Sequence, residues 1–194
     1  MALSPEFGDF YKRWMEKATN RGRDDFRDYF DNYFSLFVAF NRLYAEATFI
    51  LARKGAPKLA QRTSFPDAEA AKTYVLKYLG SRYYLEKLER NQEASPALET
   101  LKGLISSHRF YIKLNMMTGE RQPEKDEELL RKLESRGVNQ RAEAVLDLLY
   151  SVRCNMFHGH KGFQEVQVDL LKPLSAVLKA TNEILYEKLS RDNS

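Results

Sequence analysis

Apolar residues recur along this chain every three or four positions, and no stretch shows the strict alternation of a half-buried strand. The strongest element is expected over 24–54, where Phe26, Phe30, Tyr33, Phe34, Phe37, Tyr44 and Leu51 follow helical spacing before Gly55 and Pro57 end it. Pro66 sits at a helix start and Gly80 at its stop, with a further short helix over 82–90. Ser95-Pro96 reads as cap and first residue of a helix reaching Ser106. The stretch 118–125 is a polar break with Gly and Pro. The acidic run from Asp126 opens a short helix to Arg136, suited to the positive end of its dipole.

Asn139 caps the next helix, which carries Val145, Leu146, Leu149, Val152 and Met156 on one face. Gly159 and Gly162 interrupt it, and a last helix runs from Gln164 to Leu189. The short turn between these two predicts a helical hairpin, hence an all-α antiparallel bundle with additional short helices. The expected organisation is one domain over 1–194, with 1–23 as an extension and with 24–54 and 139–191 as the main bundle helices.

Composition agrees with a packed domain: 43% of residues are hydrophobic and 30% charged, enough for a core under a solvated surface. The net charge of +4 is mild and does not choose between an ordinary surface and an anionic partner such as RNA. A single cysteine, Cys154, excludes an internal disulfide and fits a reducing, cytoplasmic setting. No bilayer-spanning run and no signal peptide are expected, so no membrane partner is.

The three histidines are His108, His158 and His160, and two of them lie in the turn after the 139 helix. Arg153 precedes His158 with four residues between. In an unbroken helix residues five apart point about 140° apart, so the two side chains converge only if the helix unwinds near Gly159. An Arg or His at a helix C-terminus also serves simply to satisfy free carbonyls and the dipole. No acidic residue stands at ligand spacing beside these histidines, and no metal or other cofactor is expected.

The stretch Tyr150-Ser-Val-Arg-Cys-Asn-Met-Phe-His-Gly-His-Lys161 resembles the signature of HEPN domains (higher eukaryotes and prokaryotes nucleotide-binding), in a bacterial branch with a Val-Arg-x-Asn-x-Phe-His-Gly motif. Phe37-Val-Ala-Phe-Asn-Arg-Leu-Tyr44 is similar to the first long helix of that branch. The resemblance is specific over about 20 residues and architectural beyond them. The residue after the Arg is commonly Asn, Asp or His in catalytic members; here it is Cys154, with Asn155 one place later.

What the resemblance implies is a HEPN-type bundle and a metal-independent endoribonuclease, commonly a homodimer, of the defence or toxin kind. His158 would exchange the proton and Arg153 hold the phosphate. Asn155 would donate to the same group or fix the imidazole, and Lys161 and His160 would contact phosphate at the rim. Asn41, expected on the apolar face beside Phe37 and Tyr44, would either be a hydrogen-bonded core residue or support the Arg–His pair. The alternative is a non-catalytic nucleotide- or RNA-binding or dimerisation module. Expected partners are RNA or a nucleotide, a second copy, and a cognate antitoxin or nucleotidyltransferase.

Overall fold

The computed structural model describes residues 4–19, 26–55, 59, 64–115, 117–157 and 167–192. The chain is all-α. Its helices are α1 (Pro5–Thr19), α2 (Phe26–Arg53), α3, α4 (Ser81–Arg90), α5 (Ala94–Ser106), α6 (Pro123–Leu133), α7 (Val138–Phe157) and α8 (Val168–Asp192). Helix α3 is composite: an α turn Asp67–Glu69, a π-helical stretch Ala70–Tyr74, then Val75–Leu79. Its end is set by Gly80, whose φ of +84° is open to glycine at no steric cost and lets α4 begin at the next residue. Among the described residues the only β pairing is the isolated bridge Leu114–Arg121, inside the polar break.

Helix α2 is the centre of the molecule. Tyr33, Leu36, Phe40, Leu43, Tyr44 and Ala47 are all buried along one face, and Phe37 and Ala39 widen that face to about 160° of the helix circumference. By length and composition Arg27–Arg53 is apolar enough to cross a bilayer, contrary to the sequence expectation. Burial of this broad face against other helices accounts for that composition here.

Within the expected extension 1–23, residues 5–19 form α1, in which Phe7, Tyr11 and Ala18 share one buried face, and Phe7 and Tyr11 stack on Tyr186 of α8 at 6.4 and 3.9 Å. Two further expectations are corrected. Helix α5 is capped by Asn91, not Ser95: the Asn91 Oδ1 accepts from the Glu93 and Ala94 amides at 3.0 and 2.9 Å. The last two helices do not form a closely packed hairpin among the described residues. Helix α8 lies on α2 and α5, whereas α7 lies on α4, α6 and the π stretch. Helix α2 serves both: the Tyr33 hydroxyl donates to the Leu149 carbonyl of α7 at 2.8 Å, and Asn182 Nδ2 of α8 donates to the Leu36 carbonyl at 2.9 Å.

The segment 110–115 has no helix of its own and is held by side chains. The Asp126 carboxylate, read from sequence only as a helix-dipole charge, is 3% exposed. It accepts the Ile112 amide at 3.1 Å and the Lys113 amide at 2.8 Å. Replacing Asp126 by Ala strips two buried amides of an ionised acceptor, and a loss of about 2–4 kcal/mol is expected in urea unfolding. Amide exchange at Ile112 and Lys113 should accelerate in that variant; unchanged exchange there would contradict the role given to Asp126.

Candidate functional site

Arg153 lies on the last turn but one of α7 and is half-buried. Its guanidinium carbon stands 5.5 Å from the Phe37 ring centre and 5.8 Å from that of Tyr150, so two aromatic faces support the cation. Its Nη1 is 3.9 Å from Asp67 Oδ2, an ion pair just within range. Asp67 comes from the first turn of α3 and accepts hydroxyl hydrogen bonds from Tyr44 of α2 and, at 2.9 Å, from Tyr150 of α7. One carboxylate thus ties three helices together beneath the guanidinium.

The protonation states follow from these contacts. Burial alone would weaken the charge on Arg153, but the Cys154 sulfur and the Asp67 carboxylate more than offset it, so the group is held firmly cationic. Burial first, and then Asp67, pushes the Tyr44 and Tyr150 hydroxyls well above the usual phenol range. Both remain donors at neutral pH.

A second charged cluster occupies the adjacent face of α7. Asp147, Tyr150, Ser151 and Cys154 follow helical spacing and line a cleft of about 390 Å³ together with Lys72, Lys113 and Lys125. The Asp147 carboxylate is shared by Lys72, at 3.1 Å, and Lys113, which also donates to Ser151 Oγ at 2.8 Å. Lys72 Nζ lies 5.7 Å from the centre of the Tyr150 ring, the same ring that supports Arg153.

The sequence-predicted residues divide sharply. His158, His160 and Lys161 lie outside the described residues; α7 ends at Phe157, one turn beyond Arg153. Asn155 is 3% exposed, and its Nδ2 donates to the Ile112 carbonyl at 2.7 Å. That donor pins the 110–115 segment to α7, and the side chain also lines the cleft that holds Lys72 and Lys113.

Asn41 is exposed, not on the covered face of α2. It lines a shallow cleft with Ala45, Thr48, Phe49 and Phe65. It is rotated about 40° around the axis from Phe37, enough to leave the enclosed sector.

His108 is exposed, has a φ of 53° and stacks on Tyr111. Tyr33, Phe37 and Tyr44 of α2 are buried core.

Sequence reading missed Asp67, Tyr44 and the Lys72–Asp147–Lys113 cluster. Asp67 carries a faint local mark, an acid just after Pro66 at a helix start, but nothing in it points to Arg153.

The Asp147 cluster generates a pH prediction. Burial alone would raise this carboxyl, yet Lys113 and Lys72 overcome burial and hold it below its ordinary value of 3.8. A carboxylate whose folded pKa is depressed stabilises the fold above its unfolded pKa and ceases to do so as pH falls through the folded one. The stability difference between wild type and Asp147→Asn should therefore be full above about pH 5 and shrink steadily below about pH 4. Chemical denaturation across that range checks it; a difference independent of pH would contradict it.

The chain matches no protein-family model, no curated protein and no solved structure.

Proposed function

We propose that this protein is a metal-independent endoribonuclease that uses Arg153 and His158 and acts as a homodimer, as its resemblance to HEPN proteins over Tyr150–Lys161 implies. The observation that carries this reading is the state of Arg153: a half-buried, firmly charged guanidinium cradled by Phe37, Tyr150 and Asp67 near the end of α7. Such a guanidinium, beside a cleft lined by Lys72, Lys113 and Lys125, is suited to bidentate contact with a phosphate.

In this reading the RNA 2′-hydroxyl gives its proton to the His158 imidazole as its oxygen attacks the adjacent phosphorus. The bond to the 5′-oxygen breaks, that oxygen takes a proton, and the products are a 2′,3′-cyclic phosphate and a 5′-hydroxyl. Arg153 binds the phosphate oxygens on which charge grows. Asp67 is a positioning residue that fixes the guanidinium, and Lys72, Lys113 and Lys125 favour a polyanion on the neighbouring face. A two-fold dimer joined around 150–161 would bring two Arg–His pairs together.

A second reading, a binding module without catalysis, is favoured by two facts: Arg153 already faces a carboxylate, and the Asn155 donor is committed to Ile112. Such a module would serve nucleotide binding, dimerisation or docking of a nucleotidyltransferase or antitoxin.

Incubation with single-stranded RNA and with DNA of the same sequence, in EDTA, separates the readings. The nuclease cuts RNA only, with EDTA harmless. Arg153→Ala should lose roughly 10²–10³ in rate, and His158→Ala most activity. Asp67→Asn should lose roughly tenfold while remaining folded by circular dichroism. Cleavage of DNA, or His158→Ala cutting as well as wild type, would overturn the mechanism. Nucleotide-dependent thermal stabilisation with no cleavage would establish the binding module. Mass spectrometry under native conditions should show a dimer.

A further inference from the structure

A cavity of about 890 Å³ opens between the end of α1, α2, α5 and the first half of α8, within the size range of small-molecule sites. Its lining combines buried polar, apolar and charged side chains. Asn32 and Ser175 line it while only 8% and 5% exposed. Among the described residues, Asn32 Oδ1 and Ser175 Oγ have no hydrogen-bond partner. Buried polar atoms are nearly always paired, so two orphans in one cavity wall call for a group that pairs them. Pro173, on the same wall, has no amide to give to the Asp169 carbonyl one turn earlier, which removes a helix hydrogen bond from the turn facing the cavity.

The apolar part of the lining is Leu36, Ala97, Leu104 and Pro173. Its rim carries charge. Arg109 is paired with Asp169, and Lys179 with Glu93 at 3.3 Å. Lys172, exposed on the same rim, has no ion-pair partner among the described residues. The unmatched charge of the rim is therefore positive.

The geometry points to a binding site for a small amphipathic organic anion. A hydroxyl or N–H at its far end would meet Asn32 and Ser175, its apolar body would lie along Leu36, Leu104 and Pro173, and its anionic head would meet Lys172. This site is separate from the Arg153 cluster and does not depend on the RNA reading.

The probe is ω-hydroxydodecanoate, titrated calorimetrically into the full chain below its aggregation concentration. Dodecanoate, lacking the hydroxyl, and the corresponding α,ω-diol, lacking the carboxylate, are the two control arms. The hydroxy acid should bind more tightly than either. Asn32→Leu should weaken the hydroxy acid roughly tenfold and leave dodecanoate unchanged. Lys172→Gln should weaken both acids and leave the diol unchanged. Methyl signals of Leu36 and Ala97 should shift on addition of the hydroxy acid.

If Asn32→Leu does not fold, Ser175→Ala and the three-probe comparison on wild type carry the test. No binding by wild type, equal affinity for all three probes, or binding that leaves those methyl signals unmoved would overturn the proposal.

Discussion

The broad aromatic face of α2 must be kept from water, and that demand organises the helices packed around it. Helices α1 and α8 cover one part of it, and the π stretch of α3 another. Tyr33 reaches α7 through its hydroxyl, satisfying itself on a backbone carbonyl while its ring stays buried. Helix α8 lies directly on α2, and Tyr33 and Phe37 of α2 reach α7, so α7 and α8 need not pack closely on each other.

Enclosing so much apolar surface also buries polar groups, and apart from the Asn32 and Ser175 atoms of the cavity wall several of them are answered within the fold. Asp126 receives backbone amides, Asn155 donates to the backbone of the same segment, Tyr84 pairs with Thr181, and Asn182 donates to α2. These bonds contribute modestly when made but are costly to leave unmade. They therefore specify where the irregular 110–115 segment sits, a task that helix packing alone does not perform. That segment in turn carries Lys113 to Asp147.

The same logic explains the surroundings of Arg153. A guanidinium partly withdrawn from water needs an anion or aromatic faces nearby, and it has both. Asp67 in turn is held by two tyrosine hydroxyls that burial keeps protonated. The result is a cation fixed in place, its charge and orientation set by the surrounding fold.

The helical class, the position of α2, the stops at Gly55 and Gly80 and a break from 118 were all legible in the sequence, though the break, expected to reach 125, ends where α6 begins at Pro123; each depends on residues within a turn or two of one another. Arg153 was legible as a candidate for the same reason. Its partner Asp67 was not: a contact between residues so far apart leaves no periodic trace, and it exists only once α3 and α7 are both packed against α2. Asn155 and Asn41 show the converse. Their chemistry suited a site, but helix phase and the neighbour actually packed there gave one a scaffolding bond and turned the other to solvent. Local pattern thus determined which segments are helices and roughly where they stop. The tertiary structure decided which polar groups face which, since that depends on how the aromatic bulk of α2 spaces the helices around it.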